Sequence, residues 1–191
     1  MKIKEFVLEY TSKLIQLLEN IDKKSISNIV KIIEKVDRKG GTIYIIGNGG
    51  SAATASHMAN DLGVGLKRRN IKKLKVISLA DNSSVCSAIA NDIGYENIFS
   101  MQLKNVLEKD DIVFAISCSG NSKNIIKAVN YAKKQKNKIV SCTGFDGGKL
   151  KNLSDINFHI NTEEGEYGLV EDMHMILDHI LYSYYLSKEK K

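Results

Sequence analysis

The sequence predicts an α/β fold, a doubly wound parallel sheet with an N-terminal helical extension, on three observations. From residue 42 onward, short β-branched runs alternate with amphipathic helical stretches, the pattern of parallel strands joined by crossover helices. The runs TIYIIG and DIVFAIS are continuously apolar rather than alternating, as strands buried on both faces require. The first 38 residues carry apolar positions at helical spacing and no strand signal.

Each element follows in order. Ile3, Phe6, Val7, Tyr10, Leu14, Leu17 and Leu18 mark one helix, and Ile26, Ile29, Val30, Ile33 and Val36 a second. The two join near Asn20-Ile21-Asp22, and Gly40-Gly41 stops the second. TIYIIG is the first strand; GNGGS follows, then a helix through Leu62. LKVISLA is the second strand, and Asn82 to Ala90 a helix with Ser83 or Ser84 near its start. DIVFAIS, the third strand, ends in the loop CSGNS, and NIIKAVNYAKKQ is an amphipathic helix. KIVSCTG and INFHI are the last two strands, and the pattern is helical again from Gly168 to Ser187. No repeat or linker interrupts this series, so residues 1–191 read as one domain, with 1–38 as an extension packed on the α/β core.

The chain has 191 residues, enough for one sizeable core. No run of about 18 apolar residues occurs, so no membrane partner is expected. MKIKEFVLEYTSKL mixes charges at helical spacing and lacks the apolar stretch of a signal peptide, which predicts a cytoplasmic protein. The formal charge is +6, but the lysines are scattered, and KRRNIKKLK and KKQKNK read as solvated faces and loops. Nucleic acid is therefore not the expected partner, whereas such a field steers small phosphorylated molecules. Cys86, Cys118 and Cys142 are an odd count without CxxC spacing. They read as reduced, partly buried residues, with a nucleophile at Cys118 as the alternative.

Ligands of open α/β sheets bind beyond the carboxyl ends of the strands, which directs attention to the loops after TIYIIG and DIVFAIS. GNGGSA fits a loose GxGxxG/A form through Gly47, Gly49 and Ala52. A dinucleotide site also wants an acidic residue about 20 positions on. Asp81 ends the next strand but lies 34 positions past Gly47, and serine stands where a Walker A loop needs lysine. The second loop, Ser117-Cys118-Ser119-Gly120-Asn121-Ser122, brings three hydroxyls to a helix N-terminus. There the orphan N–H groups and the helix dipole favour a phosphate. The other reading is an N-cap at Ser122 within a polar turn.

His57 and Asp61 stand at i and i+4, on one helical face. Glu171, His174, Asp178 and His179 lie on the last helix, where Glu171 and His179 share a face over two turns. A histidine and a carboxylate from each helix make a four-donor set that suits zinc or another divalent ion. The same residues also read as surface polar groups, because sequence alone does not bring the helices together.

Several motifs together resemble the sugar isomerase (SIS) family, and within it the phosphoheptose isomerases. They are GNGGSA, a histidine six residues after its serine, SxSGNS after a strand, and a histidine pair in the last helix. AIANDIGYENIFS and TGFDGGKL are further matches, and the likeness spans all but the N-terminal helices. The resemblance implies a flavodoxin-like fold and a homotetramer with active sites between subunits. It implies conversion of sedoheptulose 7-phosphate to D-glycero-D-manno-heptose 7-phosphate for a bacterial surface polysaccharide. A non-catalytic SIS protein that binds or senses sugar phosphates, or an isomerase of a different sugar phosphate, are the alternatives.

For single positions, the resemblance implies that His57 and His179 ligate zinc and that His179 is the acid. Asp61 stands where the family has a metal-binding glutamate that acts as base, and Glu171 stands where it has a ligating glutamine. Asp61 is thus the expected base, with Glu171 as a substitute for it, and Glu171 joins the metal and substrate sets. Asn48, Gly49, Gly50, Ser51, Asn91, Asp92, Ser117, Cys118, Ser119 and Ser122 are the remaining expected substrate contacts. The family's RIQE run is LVED here, residues 169–172, and an acidic residue just before it is Gly168.

Overall fold

Five strand-forming runs pair in parallel into one sheet in the computed structural model of the chain, which describes residues 2–188. They are β1 (Thr42–Gly47), β2 (Lys75–Ser78), β3 (Ile112–Ser117), β4 (Lys138–Gly144) and β5 (Ile156–Ile160). The order β2-β1-β3-β4-β5 is the flavodoxin-like arrangement, whose switch point lies between β1 and β3. Gly47, the last residue of β1, pairs with Ile116, so β3 runs one residue further.

Because side chains alternate along a strand, the sheet feeds two cores. Ile43, Ile45, Ile112, Phe114 and Ile116 face one layer. That layer is built from α2 (Lys23–Lys39), α3 (Gly49–Met58) and α9 (Tyr167–Lys188), which contribute Ile29, Ile33, Met58, Met173 and Leu177. Tyr44, Ile46, Val113 and Ala115 face the other, against Ile125, Ala128 and Val129 of α7 (Lys123–Lys134).

Local chemistry sets the helix ends. Asp22 caps α2, accepting from the backbone N–H groups of Lys24 and Ser25 at 2.9 and 3.1 Å. Gly40 closes it in the left-handed region at φ 71°. By contrast, α1 (Ile3–Glu19) buries no residue of its own. Two bonds hold it to the start of α9 and the residue before it: Tyr10 Oη donates to Asp172 and Lys13 Nζ to Glu166, both at 2.7 Å.

Some elements differ from the sequence expectation. The helix after GNGGS does not run through Leu62 as a regular α-helix. It changes at Ala59 into a seven-residue π-helical segment ending at Gly65, followed by one turn, α4 (Leu66–Arg68). α5 (Ser83–Ile93) extends past Ala90, and β2 is shorter than LKVISLA. The 3₁₀ turn Tyr95–Asn97, α6 (Ser100–Leu103) and α8 (Gly148–Leu153) are too short to show a period. Among the described residues no helix is long and apolar enough to cross a membrane.

Candidate active site

The two expected loops meet at the switch point. The loop after β1 enters α3 through Gly49, at φ 51°, and the loop after β3 enters α7 through Ser122. Asn48 and Asn124 exchange amide hydrogen bonds of 2.9 and 2.8 Å between the loops, and Tyr95 Oη donates to Asn48 Oδ1 at 2.9 Å. Asn48 is thereby fixed, with Asn124 buried beneath it. Gly120 is required where it stands: its φ is +61°, and a Cβ there would overlap the Gly147 carbonyl.

Between the loops lies a cavity of about 180 Å³ lined by Asn48, Ser51, Ser117, Cys118, Ser119 and Ser122, with Tyr167 and Glu171 from α9 closing it. Ser117 Oγ and Ser122 Oγ are 3.5 Å apart, and the Ser122 side chain does not cap α7, whose third N–H, that of Ile125, donates to Asn124 Oδ1 at 2.9 Å. The hydroxyls and the free N–H groups of that helix therefore converge on one small space, which suits a phosphate. Burial, with the negative charge of Glu171 adding to it, pushes the Cys118 thiol up to about 11. A nucleophilic thiolate is thus disfavoured there. Asp81 accepts from Ser56, a contact that ties α3 to the end of β2. A larger hollow of about 640 Å³ between α1 and residues 159–169 holds none of the expected site residues.

The second cluster forms where α3 ends and α9 passes it. His57 Nε2 lies 3.4 Å from His179 Nε2, 3.5 Å from Asp61 Oδ2 and 3.9 Å from Asp178 Oδ2. The four residues can each offer one donor atom such that all lie within 4.8 Å of one another. Asp61 is carried by the π-helical segment, a distortion that recurs at functional sites. Its Oδ1 accepts from Asn60 at 3.0 Å, which leaves Oδ2 turned toward His57. Asp178 is fully buried, and neither of its oxygens has a hydrogen-bond partner among the described residues. Burial first, and then the charge of Asp61, push its carboxyl up to about 7. Two imidazoles and two carboxylates, one of them a buried carboxylate without partners, fit a divalent cation in chemistry and spacing.

Glu171 lines the cavity as an expected substrate contact but not the cation cluster, and the expected Gly49, Gly50, Asn91 and Asp92 are not among the cavity's lining residues. Glu171 is absent from the converging group: eight residues from His179 is about 12 Å along a helix axis. Its carboxylate instead lies against Gly50, where a Cβ would overlap it. Asn91 and Asp92 sit exposed at the end of α5, bonded to each other at 3.0 Å, and do not line the cavity. Asp178, Tyr167, Tyr95 and Asn124 were not expected at the site. Asp178 had a sequence signal, since it precedes His179 directly, but the eight-residue spacing to Glu171 drew the pairing away from it.

Comparison with known proteins agrees with this geometry. The family model for the SIS domain matches residues 9–144. The phosphoheptose isomerase of Helicobacter pylori strain P12 is 38% identical over 180 residues, covering 93% of this chain and 90% of that protein. The solved phosphoheptose isomerase of Neisseria gonorrhoeae superposes with a TM-score of 0.87 at 26% identity, covering 97% of this chain and all of that one. That of Francisella tularensis also gives 0.87, at 25% identity, covering 97% of this chain and 98% of that one. With five parallel strands in this order, a hydroxyl-rich loop at the switch point and relatives matched over nearly their whole length, the chain belongs to the SIS family and, within it, to the phosphoheptose isomerases.

Proposed function

We propose that the chain isomerises sedoheptulose 7-phosphate to D-glycero-D-manno-heptose 7-phosphate with a divalent metal, zinc foremost. This step would supply heptose for lipopolysaccharide or capsule. One observation carries the reading: α3 joins the two places, with Ser51 in the serine cavity and His57 in the converging group of His57, Asp61, Asp178 and His179. Ser51 and His57 are six residues apart on α3, about 9 Å along its axis, and an extended seven-carbon chain with a terminal phosphate has that reach.

The phosphate would sit among Ser117, Ser119 and Ser122 at the start of α7, held by hydroxyls and backbone N–H groups. Glu171 and Asn48 would face the sugar hydroxyls between the two ends. His57, Asp61 and His179 would hold the cation, which when bound supplies positive charge that polarises the substrate carbonyl.

The chemistry is a proton shift between neighbouring carbons. Asp61 takes the proton from C1, the C–H electron pair becomes the C1–C2 double bond, and the C2 oxygen gains a proton from His179. The reverse sequence at the other carbon completes the change: the C1 hydroxyl gives its proton back to His179 as the aldehyde forms, and Asp61 returns its proton to C2. The Asn60 amide, donating to the other oxygen of Asp61, holds the carboxylate in orientation.

The exposed apolar residues Ile3, Phe6, Val7, Leu8 and Ile15 of α1 support assembly into a homotetramer. The ties from Tyr10 and Lys13 to Asp172 and Glu166 support one folding unit that includes the extension. Free Cys86, Cys118 and Cys142 fit work in the reducing cytoplasm. The test is incubation of the purified chain and Zn²⁺ with sedoheptulose 7-phosphate. Formation of the aldose phosphate is expected. Binding without turnover, or turnover only of another sugar phosphate in a panel, would replace this assignment.

A further inference from the structure

We propose that Asp178, and not Glu171, completes the donor set for the divalent cation at the His57–His179 cluster. The inference rests on the metal-dependent reading above and concerns which residues of this chain make the site.

Geometry comes first. Donors about 2.0–2.2 Å from a tetrahedral ion lie about 3.3–3.6 Å from one another. His57 Nε2 has donors at 3.4, 3.5 and 3.9 Å, in His179, Asp61 and Asp178 respectively. Small side-chain adjustments complete that arrangement. Glu171 leaves the site from about two turns further up α9, and its carboxylate packs at Gly50 against the substrate cavity.

Burial supplies a second, independent argument. Asp178 has no exposed surface, lies among the buried residues Leu177 and Leu181 of α9, and has both oxygens without partners among the described residues. A carboxylate in that state is costly unless a cation or donor meets it. The open side of the cluster provides the place, because His57 and His179 are exposed while Asp178 forms its floor. The charge of two carboxylates matches that of a divalent ion.

The assignment gives Glu171 a separate task. Lining the same cavity as Ser119 and Ser122, it is free to contact the sugar chain.

The test is Co²⁺ titration of the full chain, read by the visible absorption of the bound ion, with the Zn²⁺-induced rise in unfolding temperature as a second readout. Asp178→Asn is expected to weaken Co²⁺ binding about 100-fold or more, at or beyond what removal of a ligand-orienting residue costs. Its Zn²⁺-induced rise should largely disappear. Glu171→Ala, which offers the cation no donor, is expected to stay within about threefold of the parent. Asp178→Leu guards against a folding artefact: its metal-free midpoint should rise as a buried charge is removed, while the Zn²⁺ response is lost. A merely structural Asp178 would move the metal-free midpoint and leave the metal response intact, which overturns the proposal, as does a loss of affinity in Glu171→Ala equal to that in Asp178→Asn. Failure to turn over sedoheptulose 7-phosphate, with the metal data as expected, removes the substrate assignment and leaves the donor set standing.

Discussion

His57 and His179 bring their Nε2 atoms to 3.4 Å of each other across 122 residues of sequence. Their rings meet edge to face, with centroids 5.3 Å apart. Both side chains are exposed, so burial does not explain the pairing, and two imidazoles gain little by meeting in water. A shared cation, as proposed above, accounts for the pair. His57→Ala and His179→Ala should each weaken zinc binding about 100-fold and lower kcat by about 10²–10⁴. The metal-free unfolding free energy should stay within about 0.5 kcal/mol of the parent, as for other surface changes. Calorimetric metal titration, steady-state kinetics and urea denaturation check the three parts.

Ser119 and Ser122 bear on binding rather than on proton transfer. Replacing either by alanine removes a hydroxyl from the proposed phosphate cradle. At about 1.5–3 kcal/mol for a hydrogen bond to a charged group, KM should rise about 10- to 100-fold with kcat little changed. Initial-rate kinetics over a range of substrate concentrations separate the two parameters.

Gly120 is a backbone requirement of the same loop. Gly120→Ala puts a Cβ into the Gly147 carbonyl at a positive φ, and neither backbone group can swing away as a side chain would. A loss of about 1–3 kcal/mol is expected from the dihedral alone. The urea midpoint measures it, and weakened phosphate binding should accompany it.

His174 gives the chain an acid-sensitive element. It is fully buried on α9, and neither ring nitrogen has a hydrogen-bond partner among the described residues. Burial lowers its pKa from 6.5 to about 4. The folded state therefore keeps the ring neutral while the unfolded chain takes up a proton below pH 6.5. Its contribution to stability is complete above that pH and falls as pH drops from about 6.5 to about 4, by at most about 1.4 kcal/mol per unit. Urea denaturation of metal-free His174→Leu across that window should show a shallower acid slope than the parent.

Much of this was legible before the structure. TIYIIG and DIVFAIS declared themselves as central strands because both of their faces are buried, and that fixed which loops end at the switch point. The serine loop and the His57–Asp61 pair were visible because they are local in sequence. What sequence could not carry was the approach of α9 to α3. Glu171 and His179 share a helical face, but a face does not fix axial position, and the contact formed around Asp178. Asn91 and Asp92 were placed by resemblance alone, and the end of α5 leaves them exposed. The π-helical segment also escaped notice, since ANDLGVG has no periodic signature and its geometry depends on packing beneath Leu62 and Leu66.

In the proposed reaction Asp61 moves a carbon-bound proton of a sugar phosphate. The most direct test is ¹H NMR of sedoheptulose 7-phosphate with the zinc-loaded chain, run side by side with Asp61→Asn. Aldose 7-phosphate is expected from the parent chain, and from Asp61→Asn a rate lower by about 10²–10⁴ under zinc concentrations that saturate both proteins. Aldose formation by Asp61→Asn at the parent rate, or none by the zinc-saturated parent, would contradict it.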